Sequence, residues 1–192
     1  MLDRLPPTAR AWLGKLRTRP GRESVVYELR RRIRGEPALP GEVRRVVFIC
    51  HGNICRSPFA ERIFAAACPH VATRSAGLAA SGGDPAQPGA LRVAREHGID
   101  LAMHRSTPLD ADLVGWADLI VGMEGHHVRE VERRWPEGAG KTLILGDFLA
   151  DAPHWIDDPW GQPDDVFRLT FERIATANDA LTARFRERES RC

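Results

Sequence analysis

The chain has 192 residues, 43% of them apolar, and a formal net charge of +2. That is enough for one packed domain plus an appendage, and too apolar for a disordered chain. No apolar run approaches the roughly 20 residues of a membrane span. A secretory leader is not apparent either, because Ala11-Trp12-Leu13-Gly14 is followed at once by Lys15, Arg17 and Arg19. A cytoplasmic protein is therefore expected, and no zinc-finger spacing or RNP-like aromatic strand suggests nucleic acid.

Residues 1–42 carry ten basic and five acidic side chains, the remainder eighteen and twenty-one. The basicity thus sits in an N-terminal segment. There Leu5, Ala9, Trp12, Leu13 and Leu16 suit one face of a short helix, and Val25, Leu29 and Ile33 fall on one face of a second. Arg30-Arg31-Arg32 and Arg34 line the polar side, and residues 35–41, with Pro37 and Pro40, read as a linker. The segment is expected either to lie on an anionic membrane surface or an acidic partner, or to pack on the domain and solvate its basic face.

A domain over 43–192 follows. A strand is predicted over 45–50 and a helix from Pro58 with the stripe Phe59, Ile63, Phe64 and Ala67. Further strands are predicted over 71–75, 118–123 and 142–146. A helix through Ala90, Val93, Ala94 and His97 is stopped by Gly98, and another segment is helical to about Trp135. Phe167, Phe171, Ile174, Leu181 and Phe185 describe a long terminal amphipathic helix. Short apolar strands alternating with helices predict an α/β three-layer sandwich around a central four-stranded parallel sheet.

The most informative stretch is Val46-Val47-Phe48-Ile49-Cys50-His51-Gly52-Asn53-Ile54-Cys55-Arg56-Ser57-Pro58. A strand runs into a cysteine, a short loop follows, and an arginine comes six positions on, where a helix can start. Such a loop can turn successive N–H groups inward and hold a dianionic oxyanion between a thiolate and a guanidinium. A free thiol, with a reference pKa near 8.5, is only a few per cent ionised at pH 7, so a catalytic thiol needs surroundings that stabilise negative charge. Arg56 can grip two oxygens through its planar fork, and Ser57 lies close enough in sequence to donate to the Cys50 sulfur. Gly52 is expected to let the backbone curl, and Asn53 tolerates a left-handed turn. This is phosphatase chemistry, with His51, Gly52, Asn53, Ile54, Cys55 and Ser57 around the anion. Cys50 and Cys55 could also close a reversible disulfide, whereas Cys68 reads as a packed thiol and Cys192 as a terminal one without a role.

These residues resemble the signature of low-molecular-weight protein tyrosine phosphatases, and the similarity covers roughly residues 43–188. The segments Ser75-Ala76-Gly77, His97-Gly98-Ile99-Asp100-Leu101 and His104-Arg105 are also similar. The resemblance implies Cys50 as nucleophile, Arg56 as phosphate clamp, Ser57 as activator of the thiolate, and Asn53 with Ser75 as the network fixing the loop. Ile54 stands where tyrosine-specific members have isoleucine and arginine phosphatases of the same fold have threonine. In Trp155-Ile156-Asp157-Asp158-Pro159-Trp160-Gly161, Asp158 matches the general acid, Asp157 a non-catalytic neighbour, and Trp160 replaces the usual tyrosine. Glu124 and His127 stand where the family has aspartate and asparagine, so Glu124 is a supporting acceptor of altered reach and His127 is expected on a helix surface. Leu78-Ala79-Ala80-Ser81-Gly82-Gly83 suggests a shallow pocket wall.

Hydrolysis of protein phosphotyrosine, with no metal or other cofactor, is the activity so implied. Alternatives are a protein-arginine phosphatase and a phospho-dependent binding module. Arsenate reduction would need a downstream cysteine pair, and no cysteine lies between Cys68 and Cys192.

Overall fold

The structure is a computed structural model and describes residues 12–35 and 38–189. Leu5, Ala9, two linker positions and Cys192, on which expectations were placed, lie outside it. A helical turn over 12–15 leads into α1 (Arg19–Arg34). The body follows as β1 (Arg45–Cys50), α2 (Arg56–Ala67), β2 (Ala72–Gly77), α3 (Pro88–Glu96), α4 (Ala111–Trp116) and β3 (Leu119–Gly122). It ends with α5 (Gly125–Arg134), β4 (Thr142–Ile144) and α6 (Asp164–Glu189).

All four strands are parallel, in the order β2-β1-β3-β4. Alternate side chains of β1 enter opposite cores: Val46 and Phe48 join α2, α3 and α6 on one face, Val47 and Ile49 join α4 and α5 on the other. Because both faces are covered, the strand reads as one continuous apolar run. On the first face Phe59 stacks on Phe171 (centroids 4.1 Å apart) and Phe64 meets Phe48 and Phe185. The chain goes from β1 to β2 on one side and later to β3 on the other, so β1 and β3 part at their C-terminal ends. That switch point is where open α/β sheets hold their ligands.

Several local expectations are corrected. β2 extends to Gly77 because its register with β1 continues as far as Cys50. β4 stops at Ile144, since the next residues form a 3-10 turn, Leu145–Phe148, pinned by Asp147 Oδ2 accepting from Ile144 N at 3.1 Å. α4 was not foreseen, although Asp110, which accepts from Leu113 N (2.8 Å), is an N-cap signal for it.

The largest correction concerns α1. Of the expected apolar face only Val25 is buried: Leu29 is 48% and Ile33 87% exposed, and Leu13 and Leu16 are exposed as well. The face against the body is instead Gly21, Ser24, Val25 and Glu28, with Tyr27 and Arg31 half-buried. It packs on α5, where a Cβ at Gly125 would come within 2.3 Å of Tyr27 Cβ. The helix docks by hydrogen bonds and close backbone approach, which apolar periodicity does not report.

Candidate active site

The loop from Cys50 to Ser57 occupies the switch point between β1 and α2. Its carbonyls are taken up from outside: Cys50 O accepts from Leu78 N, His51 O from Ala79 N, and Ile54 O from Gln87 N (2.8–3.0 Å). His104 Nε2 lies 2.6 Å from Asn53 O. In a trans peptide the next N–H points the opposite way, so the amides of His51, Gly52, Ile54 and Cys55 turn toward the loop centre. Asn53 takes the left-handed φ of +53° that allows this, and its own N–H donates to Cys50 Sγ at 3.3 Å. A close backbone approach falls on Gly77, where a Cβ would come within 2.8 Å of Asn53 N and Gly52 C; a Cβ at Gly52 would meet Ile54 at ordinary distance on the protein side.

Asn53 ties the loop together. Its Nδ2 donates to Ser57 Oγ and to Ser75 Oγ (both 2.9 Å), and its Oδ1 accepts from Thr107 N (2.8 Å). Ser75 Oγ donates a hydrogen bond to Glu61 Oε2 (2.5 Å), a partner sequence reading did not name. Ser57 Oγ accepts from Asn53, and its one hydrogen has two acceptors in reach, Cys50 Sγ at 3.1 Å and Ala76 O at 3.4 Å, of which the sulfur is the nearer. Cys55 is buried, and that burial, with Cys50 and Asp158 nearby, pushes its thiol well above the ordinary range. It stays protonated at neutral pH.

Arg56 is 1% exposed and held from one side. Its Nη1 donates to Glu124 Oε1 and to Ile156 O (both 2.9 Å). Its Nη2 faces Asp158 Oδ2 at 2.6 Å, and its Nε has no hydrogen-bond partner among the described residues. Nε and Nη2 form one edge of the fork, so the anchoring of Nη1 leaves that edge for an incoming oxyanion. Burial opposes the charges here, but Asp158 and Glu124 outweigh it for Arg56, which is held more firmly protonated than in water. For Glu124 burial is again outweighed, by Arg56 and Lys15, and its carboxyl lies well below the usual range.

His127, expected on the surface, is fully buried. It is the third residue of α5, and its Nδ1 accepts from Met123 N (3.0 Å) and Glu124 N (3.2 Å). It closes a capping box with Glu124, and Glu followed three residues later by a side-chain acceptor at a strand–helix junction was the available signal. Glu124, His126 and His127 place ligand-type atoms within 4.8 Å of one another. Glu124 is occupied by Arg56 and Lys15, and His127 Nδ1 by two amides, so the cluster works as a hydrogen-bonding hub, with His127 Nε2 buried and without a hydrogen-bond partner among the described residues.

A cleft of about 280 Å³ opens above Cys50, lined by His51, Gly52, Ile54, Cys55, Asp158 and Trp160. Trp160 is 65% exposed and forms an open aromatic wall. The two neighbouring aspartates separate cleanly. Asp158 faces the cleft and Arg56, whereas Asp157 turns to Lys15 Nζ at 2.7 Å. Ser75 and Glu124 do not line the cleft; they bond Asn53 and Arg56 respectively. Leu78 is buried and does not line it.

A buried cysteine, an inward-turned amide loop and an arginine fork meeting at a switch point agree with what comparison finds. The family model described as low molecular weight phosphotyrosine protein phosphatase matches residues 45–191. The chain belongs to this family. It is 38% identical over 144 residues to a probable low molecular weight protein-tyrosine-phosphatase, EpsP, of Ralstonia solanacearum, covering 75% of this chain and 97% of EpsP. The crystal structure of the Erwinia amylovora tyrosine phosphatase AmsI matches with a TM-score of 0.70 at 36% identity, covering 73% of this chain and 91% of AmsI. The YwlE arginine phosphatase of Geobacillus stearothermophilus matches with a TM-score of 0.73 at 33% identity, covering 77% and 96%. Overall likeness therefore does not separate the two substrate classes. Residues before Arg45 lie outside the family match.

Proposed function

We propose that this phosphatase hydrolyses phosphotyrosine in proteins through a cysteinyl-phosphate. Cys50 attacks phosphorus and the ester P–O bond breaks, while Asp158 gives its proton to the leaving phenolic oxygen. The phosphoryl group is held by the inward amides and by the Nε–Nη2 edge of Arg56. To take that edge it displaces Asp158 from Nη2, releasing the carboxyl toward the leaving group. In the second step Asp158, now a carboxylate, accepts a proton from water, the water oxygen bonds to phosphorus, and the Cys50 S–P bond breaks to release phosphate. Ser57 stabilises the departing sulfur, and Glu124 and Ser75 support Arg56 and the loop.

The observation that carries this reading is a cleft that holds Cys50 and Asp158, with Arg56 directly behind Asp158, and whose lining of His51, Gly52, Ile54, Cys55 and Trp160 offers an aromatic and an aliphatic wall. A flat apolar slot suits a phenyl ring, whereas phosphoarginine brings a cationic guanidinium that needs polar partners. The likeness to arginine phosphatases makes phosphoarginine the alternative. Matched phosphotyrosine, phosphoserine and phosphoarginine peptides test the choice: wild type is expected to prefer phosphotyrosine, C50S to be inactive, and Ile54→Thr to relax the preference. Faster turnover of phosphoarginine by wild type overturns it.

We also assign residues 43–192 to the phosphatase domain and 1–42 to an appended segment. Reduced cysteines at the site fit the cytoplasm, and no helix among the described residues is long and apolar enough to cross a membrane. The outward face of the segment, with Leu13, Leu16, Leu29 and Ile33 exposed among Arg17, Arg22 and Arg30, supports contact with an anionic membrane surface. Cosedimentation with phosphatidylserine vesicles tests that contact, an acidic protein partner being the alternative.

A further inference from the structure

The inward face of the N-terminal segment is directed at the loop that carries Asp158. Tyr27 Oη donates to Asp147 Oδ2 (2.5 Å) and Arg31 Nε to Asp147 Oδ1 (2.9 Å), at the turn where that loop departs. Glu28, itself 1% exposed, accepts from His154 N (3.1 Å) and lies 2.7 Å from His154 Nδ1. Lys15 Nζ pairs with Asp157 Oδ1 (2.7 Å) and, in the same position, with Glu124 Oε2. It sits 5.7 Å from the Trp155 ring centroid, and that ring meets Trp12 edge-on. Of these side chains only Lys15 touches both halves of the site, the acid-bearing loop and the carboxylate that anchors Arg56.

We infer that Lys15 is a positioning residue of the active site: its ammonium, bridging Glu124 and Asp157, sets the Arg56 fork and the Asp158 loop in register. The inference rests on the phosphatase reading above and adds to it a segment that lies outside the family match. Glu124 offers one oxygen to Arg56 and the other to Lys15. With Lys15 removed, both oxygens are free to chelate the guanidinium, and Nη2 is then drawn away from an incoming phosphoryl group. The charge balance moves the same way. Three carboxylates, Glu124, Asp157 and Asp158, surround two cations, Arg56 and Lys15, while His126, whose Nδ1 is 3.9 Å from Glu124, is kept neutral by burial. Losing Lys15 leaves a dianion facing a more negative site.

The test uses the full-length chain as wild type, K15M, K15R and D157N, with Leu169→Gln on the exposed side of α6 as a control. Inorganic phosphate binding is measured by calorimetry, and kcat and KM on a phosphotyrosine peptide. K15M is expected to weaken phosphate binding roughly tenfold, the size of one charge-assisted hydrogen bond lost from the cradle, and to lower kcat. K15R should recover most of both, and the control should match wild type. D157N breaks only the outer half of the bridge and removes one negative charge, so it should lower kcat without weakening phosphate binding, and it keeps the test alive if K15M folds poorly. Phosphate affinity and kcat within twofold of wild type in folded K15M, or an unchanged kcat in D157N, overturns the inference. A wild type that neither binds phosphate nor turns over the peptide instead faults the underlying reading.

Discussion

Between Cys50 and Ser57 many polar atoms are satisfied within the motif or by the strand and turns beside it, through Asn53, Ser57, Ser75, Leu78 and Ala79, while Gln87, His104 and Thr107 take up others and Glu124 and Ile156 anchor Arg56. Between Leu149 and Trp160 there is no regular structure, and the restraints come from far along the chain: Lys15, Glu28, Met123 and Arg173. The first loop combines dense bonding of its own with anchors from the segments around it, whereas the second relies on the surface it lies on. A loop that must hold a developing charge gains from local, dense bonding that needs no reorganisation. A loop that delivers and takes back a proton needs only placement, and distant anchors suffice.

Breaking the first loop should do the most harm. R56K keeps the charge but loses the Nε–Nη2 edge and one of the Nη1 bonds, and kcat/KM is expected to fall by at least 10²-fold, as when a donor is removed from an oxyanion site. Near-wild-type kinetics would mean that the anchored fork is not what grips phosphate. In the second loop, D158A should slow the transfer of the phosphoryl group from phosphotyrosine to Cys50, read in a single turnover, by about 10²–10⁴-fold, the usual worth of a general acid, and the transfer from an activated aryl phosphate far less. Equal losses on both substrates would make Asp158 a structural partner of Arg56.

The smallest effect concerns the hub between the loops. Burial is the main cause holding His127 and His126 below the ordinary imidazole value of 6.5, so both stay neutral in the fold. His126, Arg56 and His51 depress His127 further, and Glu124 opposes them. The unfolded chain takes up protons first as pH falls below about 6.5, so stability declines on acidification and is fully present above that value. Asp147, pushed up to about 6 by burial, acts in the opposite sense: its contribution is present below about 4 and lost as pH rises through about 6, in wild type and variant alike. H127N should therefore melt somewhat lower than wild type at pH 7 but lose less between pH 7 and 5, by about 2–4 °C for each kcal/mol removed. Parallel melting curves against pH would contradict the burial account.

The same contrast explains what could be read from the sequence. The run into Cys50, the helix after Pro58 and the aromatic stripe of α6 were legible because periodicity and turn chemistry are local. Cys50, Asn53, Arg56 and Ser57 come together as their spacing implies. Asp158 could be matched as a motif, but nothing local shows that Asp157 turns to Lys15. α1 departs from its apolar pattern for a related reason: Leu29 and Ile33 face out while Glu28 and Tyr27 face in beside Val25, and buried polar pairing has no period to detect. His127 was misplaced because an imidazole serving as a backbone acceptor looks, in sequence, like any helical histidine.

The account turns on a covalent bond to Cys50. Acid-quenching the enzyme during turnover of a phosphotyrosine peptide, followed by mapping of the digested chain by mass spectrometry, tests it directly. The account predicts one phosphoryl group on the peptide carrying Cys50, more abundant in D158A with an activated aryl phosphate, because that variant is slow to activate water, and absent in C50S. Steady phosphate release by a C50S chain, or a phosphoryl group mapped to another residue, would contradict it.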